Sequence, residues 1–301
     1  MLKHSLPFAA CLISLNAASQ SSPQCRRLKA MRIDAEVRFW RRSNTPTRFQ
    51  NAPLLTQDYL PQHLEPHLME HGFTGCVAIL ETELAALSSM ERDTLMASRH
   101  ILGLVPRLPE QDGLASTPEP SVLGYHLPAF TGSKQQLKQL DRLCDLGLPL
   151  AVDLARTPIA PLRDLIETKP SLQVILNHSG RPEGAPDQFE AAPDPWPPTL
   201  QWLQDQPQTV ITLSGLINPS DAGHFDDWDL PEAHFRPKLA DLMTIFGEDR
   251  ILFGSNWPMG LMTASFEDTL DLMTALIEAL SPTSLAKIMG LNATRCYGIE
   301  P

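Results

Sequence analysis

RILFGSNWPMG, Arg250 to Gly260, decides the fold of this chain. A short apolar run, Ile251 to Phe253, meets a glycine and then Ser255, Asn256, Trp257 and Pro258. This reads as a buried strand whose last residues swing into a cleft, ended by a proline that cannot continue the hydrogen-bond ladder. A polar side chain at the C-terminal tip of such a strand is where parallel α/β barrels keep their chemistry.

Seven more runs of the same kind precede it, at 31–39, 74–80, 100–108, 121–129, 149–154, 172–178 and 209–215. Between them, helical patterns cover 58–70, 81–99, 133–146, 159–168, 232–246 and 266–280. Near-continuous apolar strands separated by amphipathic helices are the pattern of parallel strands buried on both faces. Ser133 and Thr157 read as N-caps, and Gly147 as a C-terminal stop before Pro149. The expected fold is therefore α/β, a single (β/α)8 TIM barrel over 31–301. One unit is defective: only about a dozen residues, Pro109 to Pro120, separate the third and fourth strands, too few for an ordinary crossover helix. The third helix is expected to be very short or missing. The apolar outer face of those strands would then need cover, from a homodimer contact or from residues 1–30.

Composition narrows the function. The 301 residues are 43% apolar and 20% charged, ordinary for a globular chain, with a net charge of −11. That acidity argues against nucleic-acid and anionic-membrane partners, because the one basic cluster (Arg38, Arg41, Arg42) is too small to neutralise a phosphate backbone. No run of 18 apolar residues is present. The five cysteines show no C-x-x-C pairing, which suits a reducing, cytoplasmic setting. Residues 1–30 form an N-terminal extension with two readings. One is a weak secretory signal, which would make the protein secreted or periplasmic; the other is sequence upstream of a start at Met31.

Several stretches together carry a family resemblance. VILNHSGRP (174–182), TLSGL (212–216), FGEDRILFGSNWP (246–258) and NATRCYG (292–298) resemble the sixth to eighth strands and the closing helix of the amidohydrolase-related lactonases. MRIDAEVRFW (31–40) resembles their first strand, written D-A-H-x-H-F-W in the family. The likeness is to enzymes of the L-fuconolactonase and 2-pyrone-4,6-dicarboxylate lactonase type. It implies a hydrolase that opens a small carboxylated cyclic ester, with strand-one histidines at a metal site and a strand-eight aspartate that activates water.

This chain departs from that pattern at three positions. Glu36 and Arg38 replace the two histidines, and Asn256 replaces the aspartate. A guanidinium has no lone pair for a metal, and a neutral amide cannot take a proton from water. The expected site therefore holds no metal and no cofactor. Its candidate catalytic residues are His178, Asn256 and Glu36. Arg38, Arg181, Trp40, Trp257, His126 and Asp153 are the candidate substrate contacts. Each has a plainer reading: Arg38 neutralising Glu36, the tryptophans packing, His178 bonding a loop. Ser214 reads as shaping the strand-seven tip, since no base is spaced to activate it. Two functions compete. One is a metal-independent lactonase with impaired or altered activity. The other is a retired barrel, a pseudoenzyme that binds an anionic metabolite or a protein partner without turnover.

Overall fold

The computed structural model describes residues 31–110, 114–180, 197–217 and 230–300. The 1–30 extension, Arg181 and most of the proline-rich stretch 182–198 lie outside the described residues.

Among the described residues eight parallel strands appear in chain order: β1 (Ile33–Val37), β2 (Gly75–Ile79), β3 (Ile101–Val105), β4 (Tyr125–Leu127), β5 (Leu150–Asp153), β6 (Val174–Asn177), β7 (Thr209–Thr212) and β8 (Ile251–Leu252). They form two ladders, β1-β2-β3 and β4-β5-β6-β7-β8, in sequence order. The seams between them carry isolated bridges instead of ladders: Leu104 with Val122 and Arg107 with His126 on one side, Val37 with Trp257 on the other. The Ala35 amide reaches the Phe253 carbonyl at 3.0 Å and the Arg38 amide the Trp257 carbonyl at 2.9 Å, which joins the last strand to the first. This is the TIM-barrel arrangement expected from the sequence.

The helices follow the strands: α1 (Pro61–Glu70), α2 (Ser89–Met96), α3 (Lys134–Leu146), α4 (Ile159–Thr168), α5 (Leu230–Phe246), α6 (Phe266–Leu280) and α7 (Asn292–Tyr297). Ser133 caps α3 by accepting the Gln136 amide, and Gly147 ends it in the left-handed conformation. Thr157 does not cap α4; Pro158 holds that position and the Thr157 hydroxyl accepts the Phe130 amide at 3.1 Å. Among the described residues no helix lies between β3 and β4. The expected exposed face is nevertheless absent: Leu104, Val122 and Leu127 are buried, in one apolar cluster with Leu140 and Leu143 of α3. No described helix is long and apolar enough to cross a membrane.

Two layers of core result. Strand residues facing the helices belong to the larger cluster, whereas Ile33, Ala35, Val77, Ile79, Val105, Ala151, Ile175, Val210 and Leu252 fill the lumen. Ala293 and Tyr297 of α7 join the lumen cluster together with Met31 and Ile299. The mouth at the C-terminal strand ends is left for polar groups.

Candidate active site

The first strand delivers its polar residues through an irregularity. Asp34 pairs with Cys76 and Val37 with Ala78, so the register slips between them. In a regular strand Asp34 and Glu36 would share a face. The slip separates them, and Glu36 comes to lie in the lumen beside Gly254, where an added Cβ would fall 3.0 Å from the Glu36 Cβ and 2.6 Å from the Thr212 Cγ2. Glycine at 254 is thus what lets β8 lie so close to Glu36.

Glu36 and Arg38 form the centre. Arg38 Nη1 donates to Glu36 Oε1 at 2.8 Å and Arg38 Nε to Glu81 Oε1 at 2.9 Å. Arg38 is 1% exposed and Glu36 fully buried. Burial would weaken the guanidinium, but Glu36, Glu81 and Asp153 outweigh it and keep Arg38 charged. Burial would likewise raise the Glu36 carboxyl, but His178, Arg38 and the Ser214 hydroxyl together hold it below the usual carboxylate range.

The tips of β6 and β7 complete the group. Ser214 Oγ donates to Glu36 Oε2 and accepts the His178 amide at 3.1 Å. His178 Nδ1 stands 3.5 Å from both Glu36 Oε1 and Ser214 Oγ. The one hydroxyl proton of Ser214 is committed to Glu36, so this serine is a strut and not an activated nucleophile.

His178, Ser179 and Asn256 are the described non-glycine residues with positive φ, at 55°, 56° and 59°. Asparagine visits this region readily; histidine and serine do so at some cost. All three sit at strand tips around the mouth, and such outliers concentrate at functional sites. The buried Asn256 Oδ1 and Asn177 Nδ2 have no hydrogen-bond partner among the described residues.

The other candidates divide. Asp153 ends β5 in register with Asn177, lies 3.9 Å from Arg156 and acts on Arg38 through its charge. His126 pairs with the lumen residue Ala151 and is buried. The tryptophans pack among aromatic neighbours, and Trp40 also lines a cavity between the segments that follow β1 and β2. Trp40 donates its indole N–H to the Leu55 carbonyl at 3.1 Å and stacks on Phe49; Trp257 is buried against Tyr59 and Phe39. Arg38, expected to take a substrate anion, already holds two carboxylates. Glu81 was missed in the sequence although it lies two residues beyond β2, in the region past the strand tip where barrels place functional groups. Asp34 was missed as well: its Oδ1 accepts the Ser255 amide at 2.9 Å and the Glu36 amide at 3.3 Å. Burial pushes its carboxyl up to about 7 despite those bonds.

The family profile described as Amidohydrolase matches residues 122–299. The L-fucono-1,5-lactonase of Burkholderia multivorans is 25% identical, with 90% of this chain and 98% of that protein aligned. Among solved structures, an amidohydrolase from Burkholderia multivorans with bound zinc superposes with a TM-score of 0.72 at 20% identity, covering 90% of this chain and 100% of that one. A Pseudomonas putida protein named as a 2-pyrone-4,6-dicarboxylic acid hydrolase superposes with a TM-score of 0.63 at 18% identity, covering 90% and 99%. The superpositions establish the barrel fold.

Proposed function

The chain belongs to the amidohydrolase family, and from that premise we propose that it hydrolyses a small carboxylated lactone without a bound metal, with the Glu36–His178 pair replacing the strand-eight carboxylate. The observation that carries this reading is the 3.5 Å approach of His178 Nδ1 to the buried Glu36 carboxylate at the barrel mouth.

A carboxylate on the Nδ1 side of an imidazole fixes the ring and stabilises the imidazolium that forms when the other nitrogen takes a proton. Imidazole is the side chain most often used to move a proton near neutral pH, which suits it to the part of the base. In the proposed step His178 Nε2 removes a proton from water as the water oxygen attacks the lactone carbonyl carbon. The ring C–O bond then breaks, and its oxygen takes the proton back from His178 to leave the hydroxy acid. Asn256 cannot act as a base, but its amide N–H can donate to the oxyanion that develops on the carbonyl.

A divalent cation does not suit this donor set. Glu36 and His178 offer one oxygen and one nitrogen, whereas catalytic zinc usually takes three protein ligands. The Arg38 guanidinium, 2.8 Å from Glu36, sets a fixed positive charge beside them. Among the described residues no group of three or more His, Cys, Asp and Glu side chains is arranged to hold a metal ion.

The test is turnover of sugar-acid lactones and pyrone carboxylates by the purified full-length chain, before and after chelation, with His178→Asn and Glu36→Gln alongside. The expected result is chelator-resistant hydrolysis that falls about 10²-fold or more in each variant. Activity that needs one tightly held divalent ion per chain would overturn metal independence. Binding of carboxylates with no hydrolysis of any lactone would favour the retired-barrel reading, which the neutral Asn256 supports.

A further inference from the structure

The seam between β1 and β8 is closed by more than backbone. Ala35 donates to the Phe253 carbonyl at 3.0 Å and Arg38 to the Trp257 carbonyl at 2.9 Å. Between those two bonds the Glu36 and Ser255 amides both donate to one atom, Asp34 Oδ1, at 3.3 and 2.9 Å. A carboxylate oxygen has two lone pairs and can accept both. A side chain thus stands at the centre of the seam where a ladder would otherwise satisfy these amides.

Each of the two amides belongs to a turn of the site. On β1, Ala35 and Glu36 together stand against the single residue Val77, and such a bulge leaves its extra residue unpaired in the ladder. Asp34 accepts the Glu36 amide, and the Glu36 carboxylate comes to lie beside His178. On the other strand the Ser255 amide is held by Asp34 and the Trp257 amide by Ser255 Oγ at 3.0 Å. Both amides that flank Asn256 are therefore fixed, and Asn256 between them is left-handed at φ 59°. A residue in that sparsely populated region persists where its surroundings over-determine it. Asp34 is fully buried, and its Oδ2 has no hydrogen-bond partner among the described residues, so Oδ1 carries its connection to the mouth.

We infer that Asp34 is a positioning residue for the barrel mouth: through Oδ1 it fixes at once the bulge that brings Glu36 to His178 and the turn that presents Asn256. It acts through those residues and not on the reacting atoms. The inference rests on the lactonase reading only for the rate that this geometry supports, not for the geometry.

The experiment reads the two arms separately, by NMR of the 15N-labelled full-length chain. The His178 ring signals are assigned by their loss in His178→Asn, and the Asn256 side-chain amide by its loss in Asn256→Asp. Asp34→Ala should shift both. Asp34→Asn, whose amide oxygen still accepts both N–H groups, should leave both at their native positions. Ser255→Ala removes only the acceptor of the Trp257 amide, so it should shift Asn256 and spare His178, and it tests the turn even where Asp34→Ala does not fold. Leu140→Ala opens a core cavity on α3, across the barrel from the seam, and should shift neither. On a lactone that the protein opens, Asp34→Ala should lower kcat by about 10²-fold with KM changed less than about threefold, the pattern of misplaced catalytic groups, and Asp34→Asn should retain the native kcat. Native signals in Asp34→Ala, a shift of one set alone there, equal shifts in Asp34→Asn or Leu140→Ala, or an Asn256 signal unmoved by Ser255→Ala would each overturn the proposal. Because the signals need no turnover, a chain that shows the expected shifts yet opens no lactone would refute the reaction and leave Asp34 in its role.

Discussion

Replacing Arg38 with methionine tests whether the buried ion pair organises the barrel mouth. Removing one partner of a buried pair typically costs about 3–5 kcal/mol, because the surviving charge is left uncompensated. Glu36 would keep the Ser214 hydroxyl and the His178 contact, which puts Arg38→Met near the lower end, about 3 kcal/mol. Glu81 is partly exposed, and water can take over its lost bond. The loss should depend on pH with a definite sign. In the native protein the folded-state pKa of Glu36 lies below its unfolded value, so its contribution is present above the unfolded carboxylate range and lost as pH falls. Without Arg38, burial dominates and the folded pKa rises above the unfolded one. Stability is then lost as pH rises from the unfolded carboxylate range toward that raised value. Urea denaturation followed by circular dichroism should therefore show a wider gap between native protein and variant at pH 8 than at pH 5. The double variant Glu36→Gln/Arg38→Met, which carries neither charge, should recover much of the loss. A variant within about 1 kcal/mol of native at pH 8, as for a surface pair, or a double variant no better than the single one, would refute the reasoning.

Three further outcomes follow from the structure. Asn256→Asp should leave lactone hydrolysis unchanged or lower it, because the oxyanion loses its amide donor and His178 already serves as base; a rise of about 10²-fold or more would place the base at the strand-eight tip instead. Asp34, raised by burial to about 7, binds its proton more tightly folded than unfolded, so it removes stability as pH climbs from about 4 to 7. Asp34→Asn should flatten the stability profile across that window, as read by denaturation at four pH values, and a profile of unchanged slope contradicts the account. Gly290→Ala should cost about 3 kcal/mol, because the added Cβ would fall 1.9 Å from the Met31 carbonyl oxygen and meet backbone that cannot swing aside. Thermal melting that matches the native protein would show that the segment before α7 can shift away from Met31.

The barrel was legible because burial on both faces leaves a strong periodic mark: α4 and α6 fall at 159–168 and 266–280, as their patterns predict. The strands came out shorter than their apolar runs. β8 keeps only Ile251 and Leu252 in the ladder, since Gly254 and the left-handed Asn256 turn the remainder into the mouth. The site was legible only through the family resemblance, which singled out Glu36, Arg38 and His178, and the slip that separates Asp34 from Glu36 is a pairing property that no single strand encodes. Glu81 stayed hidden for a similar reason. It stands at the start of the helical pattern over 81–99, and only the fold shows that it turns back onto Arg38. The tryptophans' packing was not legible, because a ring beside a strand tip looks the same in sequence whatever it packs on, here Phe49 and Tyr59.

Charge balance connects the three departures from the family pattern. Glu36, Glu81 and Asp153 already act on a single cation, Arg38. Where the resemblance implies a divalent ion, two extra positive charges would help to hold a strand-eight aspartate ionised. One guanidinium with three carboxylates around it supplies no such surplus, and a fourth acid at position 256 would be driven toward its protonated form. An amide avoids that conflict, because it keeps the shape of aspartate and a hydrogen-bonding end without adding charge. Asn256 is thus consistent with Arg38, and in the proposed reaction the proton-accepting role falls to His178, which stands 3.5 Å from the Glu36 carboxylate.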